Sequence, residues 1–259
     1  MIAEDALCLS ERGKYEMPGS CEIVYLNNSI NSEIWTSDDL GALAKKQGLS
    51  RIYSKIQVGV NRDSIVDTIF GFQGHVDGAT VGVLNFASAY HPSGHNDDIA
   101  CCSDLTFQQL HGCRYYLFNR EDRTHLHTDC AIFSRVTFFR KGNFDFVEKP
   151  YTVNVLTCPA VNLDEIVDEG GDEKEAVTVM LNRMRKMLHL FAAKGCTTIV
   201  LCVWERDGFT PRGLTKIWWK LIDEEKLGQN FERILFSVCE SGLKDGTYKF
   251  IRHMISESK

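Results

Sequence analysis

The stretch 81–94, Val-Gly-Val-Leu-Asn-Phe-Ala-Ser-Ala-Tyr-His-Pro-Ser-Gly, constrains the fold more than any other part of the chain. Val81, Val83, Leu84 and Phe86 form a short apolar run that opens on a β-branched residue. Asp77-Gly78 bounds it upstream, and a cluster of Pro, Ser, Gly, His, Asn and Asp bounds it downstream. Such a run is too short for a core helix and lacks the polar alternation of a half-exposed strand, so it predicts a buried central strand that ends in a loop. In open α/β sheets, ligands bind outside the carboxyl ends of the strands, which makes 85–105 the first place to look for function.

The flanking pattern supports a sheet with helices on both faces. Residues 54–60 alternate as a strand, and 63–70 place Ile65, Val66, Ile69 and Phe70 at helical spacing, giving a strand-helix-strand beginning. A capped short helix is expected from Ser37 to Gly48, and another short one over 105–110. No period is visible in 111–123. Strands are expected over 131–139 and 151–158, joined by turn chemistry at Lys141-Gly142-Asn143. The acidic stretch 164–175 is expected as a solvated loop entering a helix over 172–194, whose Met-rich face (Met180, Met184, Met187) is core and which stops at Gly195. Residues 197–204 predict a second buried strand, and Thr210-Pro211 a helix start directly after it, where free N–H groups suit an anion. A strand over 233–238 and a final short element over 248–255 complete one three-layer α/β/α domain with a mixed central sheet over 51–259. Residues 1–50 are expected as an extension packed on that core.

The totals exclude several classes. A net charge of −6 argues against non-specific grip on nucleic acid, which requires surplus cations. No run of about 18 apolar residues spans a bilayer, and the first residues lack the basic and apolar regions of a secretory signal. The ten cysteines contain no Cys-x-x-Cys pair. Several sit in strand-like runs, so reduced thiols in an intracellular protein (cytoplasm or nucleus) are expected rather than disulfides or zinc. His91, His95, Asp97 and Asp98 form a polar set on the expected ligand loop. His125, His127, Asp129 and Cys130 form a second, for which a structural role is preferred over metal binding; neither a metal nor a cofactor is expected.

Three blocks together resemble one family. The segment 83–89 with its His-Pro-Ser-Gly loop, the block 128–140 (Thr-Asp-Cys-Ala-Ile-Phe-Ser-Arg-Val-Thr-Phe-Phe-Arg) and the block 150–162 are similar to the microbial-type poly(ADP-ribose) glycohydrolases, which have a macrodomain fold. The likeness extends over roughly 54–240. It implies an ADP-ribose site in which Asn-Phe-Ala is followed by a Pro-Gly-Gly-Gly segment near the diphosphate, then by a Gln-Glu-Glu whose second Glu is the general acid. Laid down without a gap, the glycines fall on Ser93, Gly94 and His95, and the Gln-Glu-Glu on Ser103, Asp104 and Leu105. A leucine moves no proton, and general acid–base help is worth about 10²–10⁴ in rate.

The family's second phosphate loop, Trp-Gly-x-Gly-x-Phe, reads here Trp204-Glu205-Arg206-Asp207-Gly208-Phe209, in which Arg206 and Arg212 offset the two carboxylates. Asn61 and Asp63 match the segment that approaches the adenine side, with helix capping by Asp63 as a compatible role. The resemblance therefore implies ligand contacts at Asn61, Asp63, Asn85, Phe86, Ala87, Ser93, Gly94, His95, Ser103, Asp104, Trp204, Arg206, Gly208 and Phe209, with Asp104 as the catalytic candidate. Three functions follow. One is a degenerate macrodomain, or pseudoenzyme, that binds ADP-ribose, a related nucleotide or an ADP-ribosylated partner without efficient turnover. Another is a divergent ADP-ribosyl glycohydrolase, a hydrolase using Asp104 or the 91–98 loop. The last is a scaffold for protein–protein contact that has lost nucleotide binding. Binding stands first.

Overall fold

Alternate residues of the central strands serve opposite faces of the sheet, and this alternation fixes the layers. On β5 (Val81–Phe86), Val81 and Val83 enter one apolar layer while Leu84 enters the other; Val200 and Leu201 divide in the same way. The computed structural model describes residues 2–46, 53–91, 98–110, 113–122, 124–203, 207–238 and 246–257.

In chain order, α1 (Ile2–Arg12), β1 (Lys14–Glu16) and β2 (Ile23–Tyr25) precede β3 (Ser32–Trp35) and α2 (Ser37–Lys45). Then come β4 (Gln57–Asn61), α3 (Ile65–Phe70), β5, α4 (Asp98–Cys102), α5 (Leu105–Leu110) and α6 (Cys113–Glu121). The long hairpin β6 (Ala131–Arg140) and β7 (Phe146–Cys158) leads to α7 (Leu163–Asp168) and α8 (Glu173–Ala193). The chain closes with β8 (Thr198–Cys202), α9 (Pro211–Trp219), β9 (Arg233–Ser237) and α10 (Gly246–Glu257).

Seven strands form one mixed sheet in the order β3-β6-β7-β5-β8-β9-β4. Neighbours from β7 to β4 are parallel, whereas β6 is antiparallel to both β7 and β3. The larger apolar layer holds α2, α8, α9 and α10 against one face; the other holds α3 and α4, with Leu105 at the start of α5. This is the expected three-layer α/β/α architecture with a mixed sheet. The strands β4 and β5 are parallel and joined through α3, but β9 and β8 lie between them.

Residues 2–45 are tied to this body at several points. β3 pairs with β6 at the sheet edge, and α1 packs on α4 and α5. Arg140, buried at the end of β6, pairs with Asp5 and donates to the Cys101 carbonyl (3.1 Å), so one guanidinium links α1, α4 and the sheet. Local caps set several helix starts. Thr36, one residue before the expected start, forms a capping box with Asp39. Asp172 caps α8, and Thr210 with Pro211 opens α9. The structure adds elements beyond the sequence expectation: α1, β1, β3 and α4, α6 within 111–123, and the short helix α7 in the acidic stretch, capped by Asn162.

Candidate functional site

The five parallel strands stop along one edge. Phe86 is paired with Cys158, Cys202 with Ser237, and Ser237 with Asn61, so the ends of β7, β5, β8, β9 and β4 form a continuous rim. The connections leaving that rim carry most of the residues that the sequence singles out.

Asn85 and Phe86 close β5. Phe86 packs on the larger core, and the Ala87 N–H donates to the Cys158 carbonyl (3.1 Å), which carries the ladder one residue past the strand. Asn85 is 7 % exposed and directs Nδ2 at Thr157 Oγ1 (3.5 Å) on the adjacent strand. The same oxygen accepts from Gln109 Nε2 (3.0 Å), and Gln109 Oε1 accepts from the Tyr116 hydroxyl (3.2 Å). Four elements thus contribute to one buried polar chain. Gln109, Thr157 and Tyr116 were not among the sequence candidates, because each reads as a residue of an unremarkable helix or strand.

The start of the loop after β5 is held from outside. Ser88 Oγ accepts the N–H groups of Tyr90 (3.1 Å) and His91 (3.2 Å), and the Tyr90 carbonyl accepts Nε (3.1 Å) and Nη2 (2.6 Å) of Arg120. The Tyr90 ring meets His127 edge-on at 5.3 Å. His127 sits in the left-handed region (φ 56°), and burial, reinforced by the Arg183 charge, pushes its pKa down to about 4, so it is neutral at pH 7.

Beneath it lies Arg183, fully buried although it stands among the apolar stripe of α8. It donates to Asp129 Oδ1 (3.1 Å), the Pro159 carbonyl (3.0 Å), and the carbonyls of Leu126 (2.7 Å) and His127 (3.0 Å). Burial alone would raise the Asp129 carboxyl, but Arg183 and Lys186 beside it hold it below its usual range. An arginine inside a Met stripe was the available sequence signal for this lock.

At the other end of the rim, Asn61 Nδ2 donates to Thr68 Oγ1 (2.9 Å), fastening the end of β4 to α3. Asp63 is exposed, and its carbonyl accepts from Ser237 Oγ (2.9 Å). The cap of α3 is Ser64, which accepts from the Asp67 N–H, rather than the expected Asp63. Between the two ends, Asp207 and Gly208 both adopt positive φ (57° and 79°), and the Asp207 carbonyl accepts from the Leu163 N–H (2.9 Å). A Cβ on Gly208 would come within 2.8 Å of the Asp164 amide, so the close approach of two backbones requires glycine here. Phe209 is buried in the larger core, and α9 begins immediately after it. Arg212 lies over the Phe250 ring (5.4 Å) and Arg62 over Tyr248 (4.4 Å), so α10 supplies a ring beneath each guanidinium.

Ser103 and Asp104 stand elsewhere. β3 covers the outer edge of β6 only as far as Ser134, and the α4–α5 junction covers the next part. Ser103 bridges Phe138, the Asp104 N–H donates to the Thr137 carbonyl (3.1 Å), and Asp104 Oδ1 accepts the Thr137 N–H (2.7 Å). Asp104 thereby acts as an edge strand. Thr137 pairs with Thr152, five residues along β7 from Thr157 and thus about 16 Å from it at 3.3 Å per residue. The structure does not bring Asp104 together with Asn85.

A cavity of about 330 Å³ opens beside Asp104, lined also by Asn31, Gln108, Arg135 and Thr152, at the amino-terminal end of β5 rather than at the rim. Burial pushes the Asp104 carboxyl up to about 7, against the lowering effect of its bonds from Thr137 and Gln108. Ser103 Oγ donates to the Ile99 carbonyl (2.6 Å), and Leu105 is 1 % exposed in the apolar layer with Ile99, Val136 and Phe138.

Ser93, Gly94, His95, Asp97, Trp204 and Arg206 lie outside the described residues. His125 Nε2 meets Glu169 Oε1 (3.1 Å), and no group of three or more metal-ligating side chains occurs among the described residues.

The family model described as "Microbial-type PARG, catalytic domain" matches residues 3–141. Among solved structures, poly(ADP-ribose) glycohydrolase from Thermomonospora curvata superposes with a TM-score of 0.89 at 24 % identity, covering 97 % of this chain and 97 % of its own. The same organism's glycohydrolase bound to the inhibitor ADP-HPD gives 0.86 at 23 %, covering 98 % and 97 %. The Deinococcus radiodurans glycohydrolase in complex with ADP-ribose gives 0.80 at 22 %, covering 87 % of this chain and 94 % of its own. No curated protein matches significantly. The solved structures share this fold.

Proposed function

Since the chain belongs to the family of microbial-type poly(ADP-ribose) glycohydrolase catalytic domains, we propose that it binds ADP-ribose, free or attached to a protein, at the rim of its sheet and turns it over poorly. The observation that carries this is Leu105. The position aligned with the family's proton-donating Glu is sunk in an apolar layer, and the neighbouring Asp104 spends its carboxylate on the edge of β6. Loss of general acid help costs about 10²–10⁴ in rate, which leaves binding as the property the remaining residues serve.

The rim suits the ligand's length. From Asn85 on β5 to Asn61 on β4 there are three strand-to-strand steps, about 14 Å at 4.8 Å each, with α9 rising between them. The adenosine end lies by Asn61 and Asp63, and the diphosphate faces the N–H groups at the start of α9 above Gly208 and Phe209, with Arg212 alongside. The terminal ribose reaches Asn85, Phe86 and Ala87. Ser93, Gly94, His95, Trp204 and Arg206 join the site on the strength of the motif. The complexes of the relatives with ADP-ribose and ADP-HPD support this ligand class. The scattered cysteines, with no Cys-x-x-Cys pair, support a reducing, intracellular setting, and no described helix is long and apolar enough to cross a membrane.

One observation favours the divergent hydrolase. Asp98, at the start of α4, has its carboxyl raised by burial and by the nearby Asp67 charge, which suits a proton donor. Calorimetric titration with ADP-ribose of the protein and of Gly94→Glu tests binding, and release of ADP-ribose from poly(ADP-ribose) and from mono-ADP-ribosylated protein tests turnover. Micromolar binding abolished by Gly94→Glu, with release no faster than in buffer, supports the proposal. Release that disappears in Asp98→Asn moves the assignment to a hydrolase, and absence of binding moves it to a scaffold.

A further inference from the structure

The polar chain behind Asn85 is unusual in where it ends. Tyr116 of α6, Gln109 of α5, Thr157 of β7 and Asn85 of β5 are each below a tenth exposed, and they lie at the carboxyl ends of two adjacent parallel strands. Resting on the ADP-ribose assignment above, we propose that Gln109 and Thr157 are positioning residues that set the carboxamide of Asn85 to recognise a hydroxyl of the terminal ribose, and so set the preference for ADP-ribose over ADP.

Donor and acceptor bookkeeping gives the chain a direction. The Tyr116 hydroxyl donates to Gln109 Oε1, which leaves the Gln109 amide to donate, and it does so to Thr157 Oγ1 at 3.0 Å. Asn85 Nδ2 reaches that same oxygen at 3.5 Å. With its nitrogen drawn towards Thr157, the planar carboxamide of Asn85 turns Oδ1 the opposite way. A carbonyl oxygen accepts from an O–H and offers nothing to a phosphate. It therefore suits a ribose hydroxyl, while the diphosphate goes to the N–H groups of α9.

Neither Gln109 nor Thr157 needs to touch the ligand. Their effect is to hold Thr157 Oγ1 against the Asn85 amide nitrogen, which fixes the plane of the carboxamide beside the ligand. Gln109 is held at this point because α5 is fixed at its start by Asp104 on β6 and at its end by this hydrogen bond.

The test is calorimetric titration of the full chain with ADP-ribose and with ADP, for the wild type and for Gln109→Leu, Thr157→Val, Thr157→Ser and Tyr116→Phe, with thermal melts alongside. The wild type is expected to prefer ADP-ribose at least tenfold. Gln109→Leu and Thr157→Val should lose most of that preference while ADP affinity stays within twofold, and Thr157→Ser, which keeps the hydroxyl, should retain it. Tyr116→Phe, the mildest change, covers the case in which the deeper substitutions fail to fold, and should lower the preference about threefold. A folded Gln109→Leu, Thr157→Val or Tyr116→Phe that keeps the full ratio overturns the inference, as does a wild type that binds ADP and ADP-ribose equally. A wild type that binds neither overturns the ADP-ribose assignment itself.

Discussion

Leu105→Glu places a glutamate where the resemblance puts the family's proton donor, and distinguishes two accounts of this site. If the side chain at 105 faces ligand, the change should cost little and create a hydrolase. If it is buried as observed, 1 % exposed among Ile99, Val136 and Phe138, it should cost stability and yield no activity. A carboxyl kept inside must be protonated. Asp104 next to it is pushed up to about 7 by burial even while accepting two hydrogen bonds, so burial raises a glutamate with fewer donors as well.

At about 1.4 kcal/mol per pH unit above the ordinary value near 4.3, staying inside costs about 1 kcal/mol at pH 5 and about 4 kcal/mol at pH 7.5. Swinging out instead forfeits the burial of a leucine and leaves a void, about 3 kcal/mol at any pH. The cheaper route wins at each pH. Because the folded-state pKa is raised, the penalty is small near pH 4 and grows with pH until the side chain turns outward. Urea unfolding should therefore show a loss of about 1 kcal/mol at pH 5 and about 3 kcal/mol at pH 7.5, with no release of ADP-ribose from poly(ADP-ribose). Equal stability to wild type at both pH values together with measurable release would refute the burial argument.

Other perturbations act at separate points. Asp104 has a raised folded-state pKa, so it favours the folded state progressively less as pH rises from about 4 to about 7; Asp104→Asn should flatten that part of the pH–stability curve in urea titrations. Arg183→Met leaves Asp129 with Lys186 alone and strands the carbonyls of Leu126, His127 and Pro159, and should cost about 3–5 kcal/mol in chemical denaturation. Gly208→Ala drives a methyl to 2.8 Å from the Asp164 amide at a positive φ, and should lower the melting temperature and weaken ADP-ribose titration together.

The sequence carried the fold wherever burial follows a simple period. Val81, Val83 and Leu84 mark the central strand, and the Met stripe marks α8 out to its stop at Gly195. It failed at α6, where adjacent Tyr115 and Tyr116 are buried while Leu117 stands half exposed, so the apolar residues do not repeat at helical spacing. It was one residue off at two caps, because Thr36 and Ser64 compete with equally suitable neighbours. For the site, residues at strand ends were legible: Asn61, Asn85, Phe86 and Gly208 all lie on the rim or in its connections. Asp104 was harder. Nothing local shows that its carboxylate bonds a backbone amide 33 residues further along. Gln109 and Thr157 matter through a partner on another element, a relation no window of sequence contains.

The connection after β5 has two fixed posts. One is Tyr90, held by Arg120 and His127, and the other is the Ser103–Asp104 junction on the edge of β6. Between them, α4 packs Ile99, Cys101 and Cys102 into the core and ties Ser103 to the Ile99 carbonyl. The sequence ahead of α4 is thus the part in which selection can rewrite glycines while both posts and α4 keep their own contacts. This fits a chain that keeps its family's architecture while the positions the resemblance assigns to the phosphate glycines read Ser93 and His95. A transplant of a Pro-Gly-Gly-Gly cassette between the same posts becomes a bounded engineering task.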